Sequence, residues 1–235
     1  MMTRELWDAE TFTAKLREVG VRAYHDKHPF HVAMNEGRLS REAVRGWVAN
    51  RFSYQRAIPQ KDAAILANCP DREVRRLWLH RITDHDGTPE GGGGIEAWLR
   101  LGEACGLSRK ELLDGRHIVP GVQFAVDAYL NFARQQPWPI AVASSLTELF
   151  APDLMATRLA AFERYYTWVR PSGFDYFRSR LTQARRDSNE ALPLTLQHCD
   201  TPELQEAAVR ALSFKCDVLW SLLDAIHGKY GSAVS

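Results

Sequence analysis

The stretch Arg81-Ile82-Thr83-Asp84-His85-Asp86-Gly87 lies between two helical patterns, and the rest of the chain is organised around it. Arg81 and His85 are four residues apart, so on a helix they share one face. Four consecutive glycines, Gly91 to Gly94, follow shortly after. A cation and a titratable imidazole beside a backbone that can move predict a site for an anionic substrate. The alternative interpretation is a solvated helix end followed by a flexible linker.

Outward from this stretch, apolar residues recur with a helical period, and alternating β-strand patterns are nearly absent. The helix that Ser40 caps is expected to end before Pro59, because proline removes a backbone donor and clashes with the preceding turn. A last long helix is expected from about Pro202 to Tyr230. We therefore predict an all-α protein of roughly seven to ten helices, packed as a bundle in a single domain over residues 1–235.

Composition narrows the class of protein. The chain has 30 basic and 29 acidic residues and a formal charge of +1, so it lacks the basic excess of a nucleic-acid binder. No segment approaches the roughly 18 apolar residues of a membrane span, and the first eight residues lack a signal-peptide core. We expect a cytoplasmic protein without nucleic-acid or membrane partners. The cysteines form no CxxC pair, which argues against a disulfide framework or a zinc knuckle: Cys69, Cys105, Cys199 and Cys216.

Common catalytic motifs are missing. There is no dinucleotide-binding glycine motif, P-loop or Gly-x-Ser-x-Gly elbow. His25, His28 and His31 are spaced three apart, which could suggest metal ligands, but Pro29 interrupts any single helix that would present all three. The paired Glu-x-x-His pattern of di-iron bundles is also absent. We therefore predict no metal site.

Cations and phenols recur on otherwise apolar helices. If they converge, their ligand should carry several carboxylates, since a guanidinium fork matches a carboxylate. The alternative is that each cation has its own surface partner. Glu148 lies in an apolar helical segment and is expected to have a partner, because an unpaired buried carboxylate is costly. The set comprises Arg51, Lys61, Arg81, Arg158, Arg180 and Lys215 with Tyr54, Tyr129 and Tyr176.

Six blocks carry a resemblance to a known family. They are GWVANRF (46–52), IPQKDAAI (58–65), DHDG (84–87), PGVQFAVDAY (120–129), SSLTELFAP (144–152) and YFRSRL (176–181). In this order, and over nearly the whole chain, they resemble the pyrroloquinoline-quinone synthase (PqqC) family. Long blocks in the right order are far more specific than a short motif.

The resemblance implies a compact haem-oxygenase-like (TenA-like) helical bundle, usually a homodimer. It implies an oxidoreductase that acts on CH–CH or C–N bonds in the last step of pyrroloquinoline quinone (PQQ) biosynthesis. That step is ring closure and eight-electron oxidation of the ring-open quinone precursor (AHQQ), with O2 consumed and H2O2 released. No metal, flavin or other cofactor is implied, and PQQ is the product.

Site residues also follow from the resemblance. It implies that the catalytic residues are His85, Tyr176, Arg180 and His25. It implies that the substrate-binding residues are Arg51, Gln55, Lys61, Arg81, Tyr129, Glu148, Arg158 and Lys215. One position departs from the family, because Met155 stands where a second active-site histidine is common, and a thioether cannot donate or shuttle a proton.

Other functions stay open at this point. One is a PQQ-binding or carrier protein without turnover. Another is a different enzyme on the same scaffold, such as a metal-dependent oxidase or a thiaminase-like hydrolase, which would need a cysteine nucleophile. Oxygen uptake and metal content would distinguish these alternatives.

Overall fold

The computed structural model describes residues 5–231, so the ends of the predicted domain, 1–4 and 232–235, lie outside them. Within the described residues there are twelve α-helices, three short 3₁₀ segments (His25–Lys27, Ser145–Leu149 and Pro171–Gly173) and no β-strand. The all-α prediction is confirmed. The helices are α1 (Ala9–Ala23), α2 (Pro29–Asn35), α3 (Arg41–Asn68), α4 (Arg72–Trp78), α5 (His80–Asp86), α6 (Gly93–Ala104), α7 (Arg109–Leu113), α8 (Pro120–Gln135), α9 (Trp138–Ser144), α10 (Ala151–Tyr165), α11 (Asp175–His198) and α12 (Pro202–Tyr230).

Local sequence signals account for the helix starts. The Asp8 carboxylate accepts a hydrogen bond from the Thr11 amide at 2.7 Å, and the Ser40 hydroxyl accepts one from the Ala43 amide at 3.1 Å. Both side chains satisfy a backbone donor that the first helical turn leaves free. Helix α12 begins at Pro202 and ends at Tyr230, as predicted.

The predicted break at Pro59 is wrong, because α3 runs without interruption through this residue. Proline cannot donate to the carbonyl of Gln55, and this typically costs about 3 kcal/mol. However, α3 buries Trp47, Phe52 and Ile65 in the core, and each fully buried side chain of this kind contributes about 1.5–3 kcal/mol. Tertiary packing on both sides of Pro59 therefore outweighs the local cost.

The twelve α-helices of residues 5–231 exceed the seven to ten expected, and two predicted helices are divided. The pattern that leads to His85 is split at Leu79 into α4 and α5. The segment from residue 141 to residue 150 is split into α9 and the 3₁₀ segment Ser145–Leu149. The second division matters for function, because it brings Ser145, Thr147 and Glu148 to an interior cavity.

Helix α3 lies at the centre of the bundle and packs against α5, α6, α8 and α12. The indole nitrogen of Trp98 in α6 donates a hydrogen bond to the Val48 carbonyl in α3 at 2.9 Å. Helix α12 packs against α1, α8 and α9, and α10 packs against α11. Polar residues on α3, α11 and α12 are thereby brought to one interior region. None of the helices in residues 5–231 is both long and apolar enough to cross a membrane.

Candidate active site

A cavity inside the bundle collects most of the predicted site residues. Its wall is formed by side chains from α3, α5, α8, α10, α11 and α12 and from two of the 3₁₀ segments. Eight of the twelve predicted residues line it: His25, Arg51, Lys61, His85, Tyr129, Glu148, Tyr176 and Arg180. The structure therefore brings together residues that are up to 155 positions apart in the sequence.

The other four predicted residues lie behind this wall, and each is connected to it. The Gln55 carbonyl oxygen accepts from the Tyr176 hydroxyl at 3.1 Å. Arg81 binds Glu148, and the Lys215 ammonium donates to the Tyr54 hydroxyl. Arg158 reaches His25 through His31. All four are buried, and their role as substrate-binding residues remains a prediction.

Several residues of the wall were not predicted as site residues. Tyr24, Ser145 and Thr147 line the cavity. Ser145 and Thr147 belong to the block 144–152, so the resemblance could have identified them, whereas Tyr24 is marked only by its position next to His25. Met155, where the resemblance leads us to expect a histidine, also lines the cavity.

The protonation of His85 is set by one hydrogen bond. Its Nδ1 lies 3.0 Å from the backbone carbonyl of Arg81, one helical turn earlier in α5. A carbonyl can only accept, so Nδ1 carries the hydrogen and Nε2 has the free lone pair. Burial, reinforced by the positive charge of Arg180, lowers the pKa of His85 to about 4. At neutral pH His85 is therefore a neutral imidazole with a basic Nε2.

Arg81 and Glu148 form the ion pair that the apolar context of Glu148 predicted. One guanidinium nitrogen of Arg81 lies 2.8 Å from each Glu148 oxygen, and another donates to the Asp187 carbonyl at 2.6 Å. The guanidinium also lies over the ring of Trp78, 3.6 Å from its centroid. Arg81 is thus held rigidly and places Glu148 in the cavity wall.

Two further carboxylates support cations of the wall and were not identified from the sequence. Asp187 lies 3.3 Å from Arg180, which comes two helical turns earlier in α11. Asp62 lies 2.5 Å from Lys61 and accepts a hydrogen bond from the Trp78 indole at 2.8 Å. Each of these buried charges is therefore compensated within the protein.

Three cations near the cavity have no such compensation. No carboxylate of the described residues lies within 4.0 Å of the charged groups of Arg51, Arg158 or Lys215. Arg51 lies over the ring of Tyr54, and the Lys215 ammonium lies 3.2 Å from the centroid of Tyr129. Burial, together with the charges of Lys61 and Arg51, holds the pKa of Lys215 well below its usual value. Three of the six predicted cationic groups thus have a carboxylate partner, and three do not.

The phenols around the cavity are hydrogen-bond donors at neutral pH. Burial raises the pKa of Tyr24, Tyr54 and Tyr129 above the ordinary value for tyrosine. Their hydroxyl groups therefore keep their hydrogens. Together with Tyr176, they make the cavity rich in donors, which suits a ligand rich in acceptor oxygens.

The cysteines are poorly placed for nucleophilic chemistry. All four are free and buried, and none is among the residues that line the cavity. Burial raises the pKa of Cys105, Cys199 and Cys216 to about 12, which keeps them as thiols. A hydrolase that uses a cysteine thiolate in this cavity is therefore disfavoured.

The three histidines of the 25–31 run do not form one cluster. His25 and His31 are in contact, but the His28 ring binds Asp224 at 3.0 Å. In residues 5–231, a possible metal-ligand cluster lies elsewhere, at His80, Asp187 and Glu190. Asp187 in that cluster already contacts the guanidinium groups of Arg180 and Arg186, and these two positive charges oppose a further cation there.

Comparison with known proteins places the chain among relatives of high similarity. The model of the TENA/THI-4/PQQC family matches residues 13–225. The pyrroloquinoline-quinone synthase of Pseudomonas aeruginosa is 58% identical over 229 residues, which is 97% of this chain and 91% of that protein. The pyrroloquinoline-quinone synthase of Cronobacter sakazakii is 55% identical over 230 residues, or 98% and 91% of the two chains.

Solved structures of low sequence identity share the fold. A TenA homologue from Pseudomonas syringae superposes with a TM-score of 0.74 at 14% identity, covering 96% of this chain and 98% of that one. A domain of unknown function with a haem-oxygenase-like fold from Shewanella denitrificans gives a TM-score of 0.72 at 13% identity, covering 96% and 94%. The predicted haem-oxygenase-like bundle is confirmed.

Proposed function

This chain belongs to the TENA/THI-4/PQQC family, and we propose that it is a pyrroloquinoline-quinone synthase acting in the last step of PQQ biosynthesis. The substrate in this proposal is the ring-open tricarboxylate quinone precursor. The reaction is ring closure followed by eight-electron oxidation, with O2 as the electron acceptor and H2O2 released. The proposed enzyme is a cytoplasmic homodimer that uses no metal or flavin.

The charge balance of the cavity is the observation that carries this proposal. Three of the six buried or half-buried cations have no carboxylate partner. Burial of uncompensated charge is costly, so such a site is stabilised by a ligand that brings matching negative charge. A precursor with three carboxylates matches three cationic groups that lack a carboxylate partner, one of which, Lys215, would take up a proton on binding, and its quinone oxygens match the phenol donors.

Buried donors without a protein partner support the same proposal. The amide nitrogen of Gln55 and the Nε of Arg158 make no hydrogen bond to any described residue. Buried donors are almost always paired, so two unpaired donors directly behind the cavity wall are consistent with a site that a bound ligand completes. Gln55 would then join the substrate to Tyr176, whose hydroxyl it already binds.

The geometry suggests how the chemistry would be divided. Fixing the amine against the quinone carbonyl would favour ring closure through proximity. His85 Nε2 would accept protons from the substrate, because it is the free basic nitrogen of a neutral imidazole. Tyr176 and Arg180 would donate to the oxyanion that develops as protons leave. The substrate itself would supply the electrons that reduce O2.

Anaerobic mixing tests the proposal. The protein is mixed with the precursor without oxygen, then exposed to O2, and quinone absorbance, O2 uptake and H2O2 are followed. We expect binding without oxygen and formation of PQQ with O2 uptake once oxygen is admitted. Binding of PQQ without O2 uptake would identify a carrier protein instead. Activity that depends on a stoichiometric metal, measured by elemental analysis, would identify a metal-dependent oxidase.

A further inference from the structure

A row of three buried side chains, Arg158, His31 and His25, leads into the cavity wall. The Arg158 guanidinium lies 3.1 Å from Nε2 of His31 and 3.3 Å from its Nδ1. His31 Nδ1 lies 3.0 Å from the backbone carbonyl of His25 and 3.1 Å from the Nδ1 atom of the His25 ring. His25 lines the cavity, whereas His31 does not.

The chemistry of the end groups determines where the hydrogens of His31 lie. A carbonyl oxygen cannot donate, so the hydrogen between His31 and the His25 carbonyl belongs to His31 Nδ1. One Arg158 nitrogen is nearly equidistant from both ring nitrogens of His31, so it lies over the ring, where its positive charge opposes a second positive charge on His31. His31 is therefore a neutral imidazole with its hydrogen on Nδ1. Burial and the charge of Arg158 hold its pKa well below the usual value, in agreement with this assignment.

The state of His25 follows from that of His31. Its Nδ1 faces the Nδ1–H of His31 and must accept, so the ring hydrogen lies on Nε2. Protonation of His25 would place two N–H groups against each other. Burial and the charges of Arg51 and Arg158 also lower the pKa of His25. His25 Nε2 makes no hydrogen bond to the described part of the protein.

We propose that His31, held by Arg158, is a positioning residue that fixes His25 as a neutral hydrogen-bond donor through Nε2. His25 and His85 then present opposite tautomers to the same cavity. His85 Nε2 accepts and His25 Nε2–H donates. In the context of the proposed function, on which this part rests, His25 would donate to a substrate oxygen while His85 takes a proton. His25 would not act as a base.

Nitrogen NMR of the free protein tests the tautomer without any turnover. With ¹⁵N-labelled histidine, we expect the Nδ1 of His25 to show the shift of an unprotonated ring nitrogen and its Nε2 that of a protonated one. A protonated His25 Nδ1 at neutral pH in the unaltered protein would overturn the proposal. The His25 signals are assigned by their loss in His25→Gln.

Two variants of equal size separate positioning from packing. In His31→Asn, the amide N–H can replace the Nδ1–H donor, so His25 should keep its tautomer. In His31→Asp, a carboxylate that can only accept stands in its place, so the hydrogen of His25 should move to Nδ1. Arg158 can pair with the new carboxylate, which favours folding of this variant. Identical His25 shifts in the two variants would contradict the proposal.

Kinetics provide the second measurement. We expect kcat of His31→Asp to fall about a hundredfold relative to His31→Asn, with similar KM for the precursor, since only the donor at His25 is lost. Equal kcat values in the two variants would contradict the role of His31 in turnover.

The control variant is His28→Asn, because His28 lies outside the cavity. Asparagine can still accept the N-cap hydrogen bond from the Phe30 amide. If the unaltered protein does not convert the precursor, the proposed function fails, and the NMR result still decides the tautomer.

Discussion

At the scale of single residues, the protonation of two histidines depends on backbone contacts. His85 donates to the Arg81 carbonyl within its own helix, and His31 donates to the His25 carbonyl across a turn. Each contact engages one ring nitrogen in a backbone hydrogen bond and leaves the other ring nitrogen for contacts elsewhere. The residue type alone does not distinguish a base from a donor, because either ring nitrogen of a neutral imidazole can carry the hydrogen.

The first prediction concerns His85→Asn. The shorter amide can still donate to the Arg81 carbonyl, but the basic Nε2 is lost. We expect the affinity for the precursor to be nearly unchanged and kcat to fall about a hundredfold or more, the usual effect of losing a general base. Stopped-flow absorbance should show an intermediate that stalls before full oxidation. Unchanged turnover would exclude this role for His85.

The second prediction concerns Met155, where the resemblance leads us to expect a histidine. Met155→His places an imidazole in the cavity wall, where the present thioether cannot donate a proton. We expect an O2-consuming step to become faster by about twofold to tenfold, as an added proton donor would allow. Met155→Leu, which keeps the apolar shape, is the control and should leave the rate unchanged. If Met155→His behaves like the leucine variant, a second histidine is dispensable here.

At the scale of elements, the glycine-rich segment Gly91–Gly94 allows helix α6 to pack closely on helix α5, in addition to giving the backbone conformational freedom. Gly93 has a φ of 83°, and a Cβ there would lie 2.7 Å from the His85 carbonyl. A Cβ on Gly94 would lie 3.3 Å from the His85 ring. Gly91 and Gly92 have open space around them. The start of α6 therefore packs directly on α5 where α5 carries His85.

A third prediction tests this contact with Gly94→Ala. The new methyl group would press on the His85 ring and shift its Nε2, so we expect kcat to fall about threefold to tenfold, since misplacement of a catalytic group is costly. The free energy of unfolding should change by less than about 1 kcal/mol, because alanine also favours the helix. Enzyme kinetics and urea denaturation measure the two effects.

Gly228→Ala provides the matched control for Gly94→Ala. Gly228 lies in α12 with no atom within 4 Å of its added Cβ, so its replacement should leave kcat unchanged. If Gly94→Ala also keeps full kcat, the contact between α6 and His85 does not position the imidazole.

At the scale of the whole molecule, buried neutral histidines make stability depend on pH. The pKa of His85 is about 4 in the folded protein and near 6.5 in the unfolded chain. Between these values the unfolded chain binds a proton that the folded protein does not. The free energy of unfolding therefore falls as pH decreases through this window, and His25 and His31 act in the same direction.

The fourth prediction is the size of this loss. For His85 alone, we expect a decrease of up to about 1.4 kcal/mol for each pH unit below about 6.5 until the pH reaches about 4. Urea denaturation at several pH values measures it, and His85→Asn should show a shallower dependence. A dependence equal to that of the unaltered protein would mean that His85 is not buried as a neutral group.

The fifth prediction concerns the charge balance of the cavity. The pKa of Lys215 is lowered by burial and by neighbouring cations, and a bound polycarboxylate would raise it again. We therefore expect the protein to take up a proton when it binds the precursor or PQQ. Calorimetry in buffers of different ionisation enthalpy measures this uptake. The Lys215→Met variant should bind the precursor more weakly and take up fewer protons on binding. Equal proton uptake in both proteins would contradict the role of Lys215.

The sequence by itself determined much of this protein. Caps at Asp8 and Ser40 and the long pattern from Pro202 to Tyr230 predicted helices that the structure contains. The apolar context of Glu148 correctly required a partner. These successes share a physical cause, because helical period, capping and the cost of a buried charge act within a few residues along the chain.

Only the tertiary structure decided the rest. It showed that α3 continues through Pro59, that Arg81 is the partner of Glu148 67 positions away, and that four predicted site residues lie behind the cavity wall. It also decided which cations lack a carboxylate partner. These properties arise from contacts between helices that are distant in sequence, so no local pattern encodes them.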